Sequence, residues 1–431
     1  MRPSAASGRS CRDALGGSIR TFFAYSSAIF DFRGGMFFDG MTGSFRLLEV
    51  RNCHAENIGY PNCIRSVMSK RIRYAVVGLG HIAQVAVLPA FAHAKRNSEL
   101  TALVSDDATK RHEVGRKYRL EQTYTYNQYD QCLEQVDAVY IALPNSMHAE
   151  YTIRAAKAGV HVLCEKPMAV TASECQKMVK ACRDNSVKLM IGYRLHFEEI
   201  NLEVIDLVRK GRIGRPKYFN SSFSMTVRPG DIRTKSDMGG GTLYDIGIYC
   251  INAARYLFRG EPIEVQAMSV NSGVRKLSEI DESTGALMRF ENDRVAAFVT
   301  SFNAADVASY VVVGEKGHIR VDPAYEYAEG LKYEMDIDGK KTKKTIGKRD
   351  QFAPELIYFS DCVLRDRTPE PSGEEGMQDV RIIEALYQSA RSGKSVKIPQ
   401  FSDKKPSMVQ KIRKPGVRKP KLVHAVSASI D

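Results

Sequence analysis

The stretch GLGHIA, residues 78–83, limits the fold of this chain more than any other feature. It stands between an apolar run, IRYAVV, and a segment with helical spacing, HIAQVAVLPAFAHA. A glycine turn between a strand and a helix, opening a region where apolar strands alternate with helices, is the signature of a parallel sheet that binds a dinucleotide. Gly78 permits the tight turn and Gly80 lets a pyrophosphate approach the backbone. Ala83 is small enough for the helix to pack on the strand, and His81 and Ile82 complete the loop. The phosphates then face unpaired N–H groups at the helix start.

The alternation continues through LTALVS, DAVYIALP, VHVLCEKP and KLMIGYR, with the helix HAEYTIRAAKAG closing on Gly159. From about residue 215 the texture changes. YFNSSFSMTV, IEVQAMSV, GALMRF, AAFVTSF, YVVVGEKGHIRV and LKYEMDI follow one another as strands, interrupted by helices at 240–258 and 374–392. The second helix carries a capping box, Ser372 with Glu375, and closes at Gly393. The expected architecture is an α/β Rossmann domain (68–194) followed by an α+β domain (195–400) with a large, open, predominantly antiparallel sheet. Residues 1–67 contain no Lys and no useful periodicity. They read as a poorly ordered extension, with Met68 as the natural start.

The net charge of +13 would suggest nucleic acid were it evenly spread. Residues 401–431 hold eight Lys or Arg against two Asp, and from Lys404 onward no aromatic residue to stack on bases. This segment reads as a solvated basic tail, so no nucleic-acid partner is expected. The most apolar run, TFFAYSSAIFDFRGGMFF, is broken by Asp31 and Arg33, so no membrane span is expected. The odd count of nine Cys, with no CxxC pair or zinc spacing, points to free thiols in a reducing, cytoplasmic setting.

Ser105 ends the second strand, with Lys110 and Arg111 a turn later. A hydroxyl and a cation suit a 2′-phosphate and favour NADP, while Asp106 and Asp107 leave NAD open. CEKP, 164–167, ends a strand at the carboxyl edge of the sheet, where such sheets bind ligands. In DIGIYCIN, Asp245 and Tyr249 are four residues apart and share a helix face that Asn252 extends.

Together, GLGHIA, PNSMH (144–148), CEKP and GGGTLYDIG (239–247) resemble the Gfo/Idh/MocA oxidoreductases over residues 71–400. KLMIGYRLHF, EPIEV and PSGEEGMQDVRIIEALYQSAR are most similar to its glucose–fructose and aldose oxidoreductase subgroup. Residues 1–67, with only Pro3 and Pro61, resemble neither the export signal nor the proline-rich arm of that subgroup.

The resemblance implies a site between two domains. Lys166, Asp245 and Tyr249 would face the reacting carbon, Arg194 and His196 would bind sugar hydroxyls, and Pro144, Asn145, His148 and Glu165 would join the cofactor residues. The implied activity is NADP-dependent hydride transfer at an aldose, C1 oxidation to a lactone or the reverse, with no metal. A cyclitol or dihydrodiol dehydrogenase, or a non-enzymatic NAD(P) sensor, is the alternative. A homo-oligomer through the open sheet is implied as well.

Overall fold

The computed structural model describes residues 70–399 and 412–430; the readings made for residues 1–67 lie outside them. Six strands form the first sheet: β1 (Ile72–Val77), β2 (Ser98–Val104), β3 (Gln122–Tyr124), β4 (Ala138–Ile141), β5 (His161–Glu165) and β6 (Leu189–Gly192). Their order is β3-β2-β1-β4-β5-β6, and every pairing is parallel. Both faces are covered, which is why β4 and β6 are buried at every residue and lack polar alternation. The order reverses between β1 and β4, and a ligand crevice opens at the carboxyl ends of the strands beside such a reversal.

The helix after β1 begins as a π-helical turn, Ala83–Val87, and runs into α1 (Leu88–Ala90). The crossovers continue with α2 (Ala108–Tyr118), α3 (Tyr129–Leu133), α4 (His148–Lys157) and α5 (Ala172–Asp184). Helix α6 (Glu199–Arg209) then leads to β7 (Pro216–Thr226). A second π turn, Leu243–Gly247, opens α7 (Ile248–Phe258) where a plain helix was expected.

The second sheet adds β8 (Pro262–Val270), β9 (Ser283–Phe290), β10 (Arg294–Ser301), β11 (Asn303–Gly314), β12 (Gly317–Val321), β13 (Leu331–Ile337) and β14 (Lys340–Ile346). Helices α8 (Phe352–Leu364) and α9 (Gly373–Ser392) follow, and β15 (Val396–Lys397) completes the sheet. Its nine strands run β14-β13-β12-β11-β7-β10-β9-β8-β15, antiparallel except for β7 with β10. One face packs against α7 and α9. The other leaves Met268, Leu287, Val295 and Val299 exposed.

Division into two consecutive domains is incomplete. Helix α8 returns to the first sheet, where Phe352, Leu356, Ile357 and Phe359 share a core with β1, β2 and β4. Ser360 Oγ meets the Tyr74 hydroxyl at 2.7 Å. The capping box at α9 is also half formed. Ser372 accepts from the Glu375 N–H, but the Glu375 carboxylate turns to Arg255 at 2.9 Å. Gly393 closes the helix at φ +68° as expected.

Candidate active site

Gly78 leaves β1 at φ +94°, and a Cβ there would stand 2.5 Å from the Ala142 carbonyl oxygen. Only glycine fits that turn. A Cβ on Gly80 would meet nothing within 4 Å, so the backbone there borders open space. Ala83 is fully buried against the sheet. His81 and Ile82 line a cavity of about 640 Å³ that also reaches Lys166 and Tyr249. That volume lies within the ~300–1,000 Å³ usual for organic ligands.

Ser105, Lys110 and Tyr126 line one end of the cavity. Of the two aspartates beside them, Asp107 stands with Oδ2 3.8 Å from the Lys110 ammonium. Asp106 accepts from the Tyr126 N–H at 2.8 Å, and Asp107 caps α2 by accepting from the Lys110 N–H at 2.9 Å. A hydroxyl and an ammonium therefore face the cavity there, and neither carboxylate borders it. The glycine turn, the open backbone at Gly80 and this donor set fit a dinucleotide.

Pro144 and Asn145 border the cavity, and Asn145 donates to the Gly239 carbonyl at 2.8 Å. His148 does not border it. Its ring is buried between the Pro167 and Leu143 carbonyls, 2.9 Å from each. Burial lowers its pKa, and a neutral ring donates to one carbonyl only. It joins the cofactor loop to the turn after β5. Glu165 is buried at the cavity edge and accepts from the Tyr140 hydroxyl at 2.8 Å; burial raises its carboxyl pKa.

Lys166, Asp245 and Tyr249 converge. The Lys166 ammonium donates to the Asp245 carbonyl at 2.8 Å and stands 3.4 Å from its Oδ1. The same ammonium lies 4.6 Å from the Tyr249 ring centre, and the Arg194 guanidinium lies 4.9 Å from it. Asp245 Oδ2 accepts from Arg233 Nε at 2.7 Å. Burial pushes the Asp245 carboxyl up, but Arg233 and Lys166 outweigh it and hold the group below its usual range. Arg194 borders the cavity with its donors already committed to Gln351 Oε1 at 2.7 Å and to the Tyr325 and Glu326 carbonyls. It contributes fixed charge beside the phenol more than free donors.

His196 is not brought to the cleft. Its Nε2 meets Asn252 Oδ1 at 2.9 Å, Asn252 donates to Asp379 at 3.0 Å, and Asp379 pairs with Arg255 at 2.7 Å. Burial lowers the His196 pKa to about 4. Asn252 lies about a sixth of a turn round α7 from Tyr249, and these buried partners hold it off the cleft face.

Arg233 was not singled out in the sequence, although it borders the cavity. The only local signal is Asp231, which caps the short turn Ile232–Thr234 and pairs with Arg233 at 3.2 Å. Among the described residues no cluster of potential metal ligands occurs, and no helix is long and apolar enough to cross a membrane.

The profile described as "Oxidoreductase family, NAD-binding Rossmann fold" matches residues 72–193, and that of the GFO/IDH/MocA C-terminal domain matches 201–320. The chain is 29% identical over 337 residues to D-xylose 1-dehydrogenase [NADP(+)] of Haloarcula marismortui, covering 76% of this chain and 93% of that one. It is 30% identical over 337 residues to dTDP-3,4-didehydro-2,6-dideoxy-alpha-D-glucose 3-reductase of Saccharopolyspora spinosa, covering 76% and 99%. The fold is also similar to that of aldose-aldose oxidoreductase from Caulobacter crescentus, with a TM-score of 0.73, 36% identity and coverage of 76% and 100%. With its nucleotide loop, its second sheet and two profiles that together span more than half its length, the chain belongs to the Gfo/Idh/MocA family of oxidoreductases.

Proposed function

We propose that this oxidoreductase uses NADP to move a hydride to or from an aldose or a related sugar, oxidising C1 to a lactone or running in reverse. The observation that carries the reading is the convergence of Lys166, Asp245 and Tyr249 in the cavity that the glycine loop also lines. Ser105 and Lys110 support NADP, as do relatives named as NADP(+) dehydrogenases.

When bound, the nicotinamide supplies or accepts the hydride. The protein handles the proton. Removing hydride from a carbon that bears a hydroxyl requires that hydroxyl to lose its proton: in oxidation the ionised Tyr249 oxygen accepts it, and in reduction the Tyr249 O–H gives its proton to the carbonyl oxygen. Lys166 and Arg194, which both face the Tyr249 ring, favour the ionised form of the phenol on which this exchange depends. Asp245, kept ionised, positions the Lys166 ammonium and accepts from a sugar hydroxyl.

The test is a panel of aldoses, D-xylose first, followed at the nicotinamide absorbance band with NADP and NAD. Tyr249→Phe should lower kcat about 100-fold or more while NADPH still binds. A fully active Tyr249→Phe enzyme would remove the phenol from the mechanism. A pure cofactor sensor would show binding without turnover for every sugar tried.

The exposed apolar residues on the outer sheet face support a homo-oligomer formed through that face. The described cysteines, all buried and unpaired, support a reducing, cytoplasmic setting.

A further inference from the structure

Residues 412–430 do not form the solvated tail expected of their composition. They cross the dinucleotide cleft. At one end Arg413 pairs with Glu199, the Lys414 carbonyl accepts from the Asp350 N–H at 3.1 Å, and Pro415 bridges Arg349. At the other end the Ala428 and Ser429 carbonyls accept from the Arg228 N–H and Nε at 2.8 and 2.6 Å, and the Ile430 N–H donates to Thr226. The second end is thus held by β7 and the loop after it, and the first by α6 and the segment leading into α8.

The middle is held by the nucleotide-binding half. Val423 exchanges two hydrogen bonds with the Gln84 side chain, each 2.8 Å, in the manner of a strand partner. Gln84 is buried in the π turn that starts the nucleotide helix. It also donates at 2.9 Å to the Leu79 carbonyl inside the glycine loop. His424 meets the α2 cap, Asp107, at 3.1 Å. Between and at these anchors Val417, Lys419, Ser427, Ala428 and Ser429 line the cavity. The Lys419 ammonium is close enough to depress the pKa of His81 in the glycine loop, after burial and Arg233.

We propose that residues 412–430 form a third wall of the cofactor site, in which Lys419 supplies a cation to the dinucleotide phosphates and the Val423–Gln84 clasp governs how fast the cofactor enters and leaves. This rests on the reading of the cleft as the NADP site. A dinucleotide lying along the cleft is covered by a segment pinned to both halves, so release requires the clasp to open. The strap's basic residues then have a local purpose. They bring positive charge to a phosphate-bearing ligand beside the glycine loop, where the nucleotide fold itself offers helix N–H groups.

The test compares three proteins with the full chain: one ending at residue 411, Val423→Pro and Lys419→Gln. Each is loaded with NADPH and chased with excess NADP, and the loss of NADPH fluorescence is followed. The shortened chain and Val423→Pro should release NADPH about tenfold faster or more, since the first loses both hydrogen bonds of the clasp and the second loses the one its N–H donates. Lys419→Gln should weaken NADPH and NADH to a similar extent, about three- to tenfold, because both carry the pyrophosphate. Release rates equal to that of the full chain would overturn the proposal. So would tighter binding by the shortened chain, which would make the segment a competitor for the cleft. Failure of the full chain itself to bind NADPH would instead sink the cofactor reading, and the strap's role with it.

Discussion

Asp245 lies between two cations, Arg233 at 2.7 Å and Lys166 at 3.4 Å, and both act against the burial that would otherwise neutralise it. Replacing Arg233 with Met removes the closer one. The carboxyl then titrates higher, so the acid limb of the kcat/KM profile should move to higher pH, with a rate loss of about tenfold or more. Arg233→Lys should restore most of both. A pH profile unchanged in Arg233→Met would show that the Asp245 charge has no part in turnover. At the other end of the cavity, Lys110→Gln should weaken NADP about 10- to 100-fold and leave NAD almost untouched, because only NADP carries the 2′-phosphate. Equal loss for both cofactors in a binding titration would place Lys110 on the pyrophosphate instead. Asp245 and Tyr249 were legible as residues because four-residue spacing survives the π turn. Arg233 was not, because nothing in VRPGDIRTKSD marks one Arg over its neighbours; its value comes from a fold that brings it to Asp245.

At the level of elements, strands and helices were readable because burial on both faces of the first sheet, and on one face of the second, leaves distinct apolar periods. What each element meets was not. Arg194 finds its Gln351 partner 157 residues away, and His196 is turned inward by Asn252 on α7 and Asp379 on α9. The start of α9 shows the same limit. Glu375 stands where a capping box would use it, yet joins Glu261 and Asp379 around the single cation Arg255. Burial, offset by Arg255 and reinforced by the neighbouring carboxylates, pushes its pKa up to about 7. The unfolded carboxyl gives up its proton near the ordinary ~4.3, while the folded one keeps it to about 7. Folding stability from this group is therefore fully present below the unfolded pKa and declines as pH rises toward 7. Glu375→Gln should flatten that decline in denaturant titrations between pH 4.5 and 7; an unchanged slope would assign the titration to another member of the cluster.

At the scale of the whole molecule, the outer face of the second sheet and the path of α8 both have consequences. Met268→Asp together with Val299→Asp should leave a folded protein of lower sedimentation coefficient, if the exposed face holds copies together; unchanged sedimentation would move the assembly surface elsewhere. Leu356→Ala, in the part of α8 buried on the first sheet, should cost about 2–5 kcal/mol by chemical unfolding, although it lies well over two hundred residues beyond β2 in the chain. That return of α8 makes the nucleotide-binding half a graft with roots at both ends. A fragment confined to residues 70–194 would present bare Val, Tyr and Leu side chains where Phe352, Leu356 and Phe359 belong, and it should aggregate. Anyone exchanging coenzyme-binding halves between relatives of this enzyme must therefore transplant two separate stretches of gene, the second encoding residues 352–364.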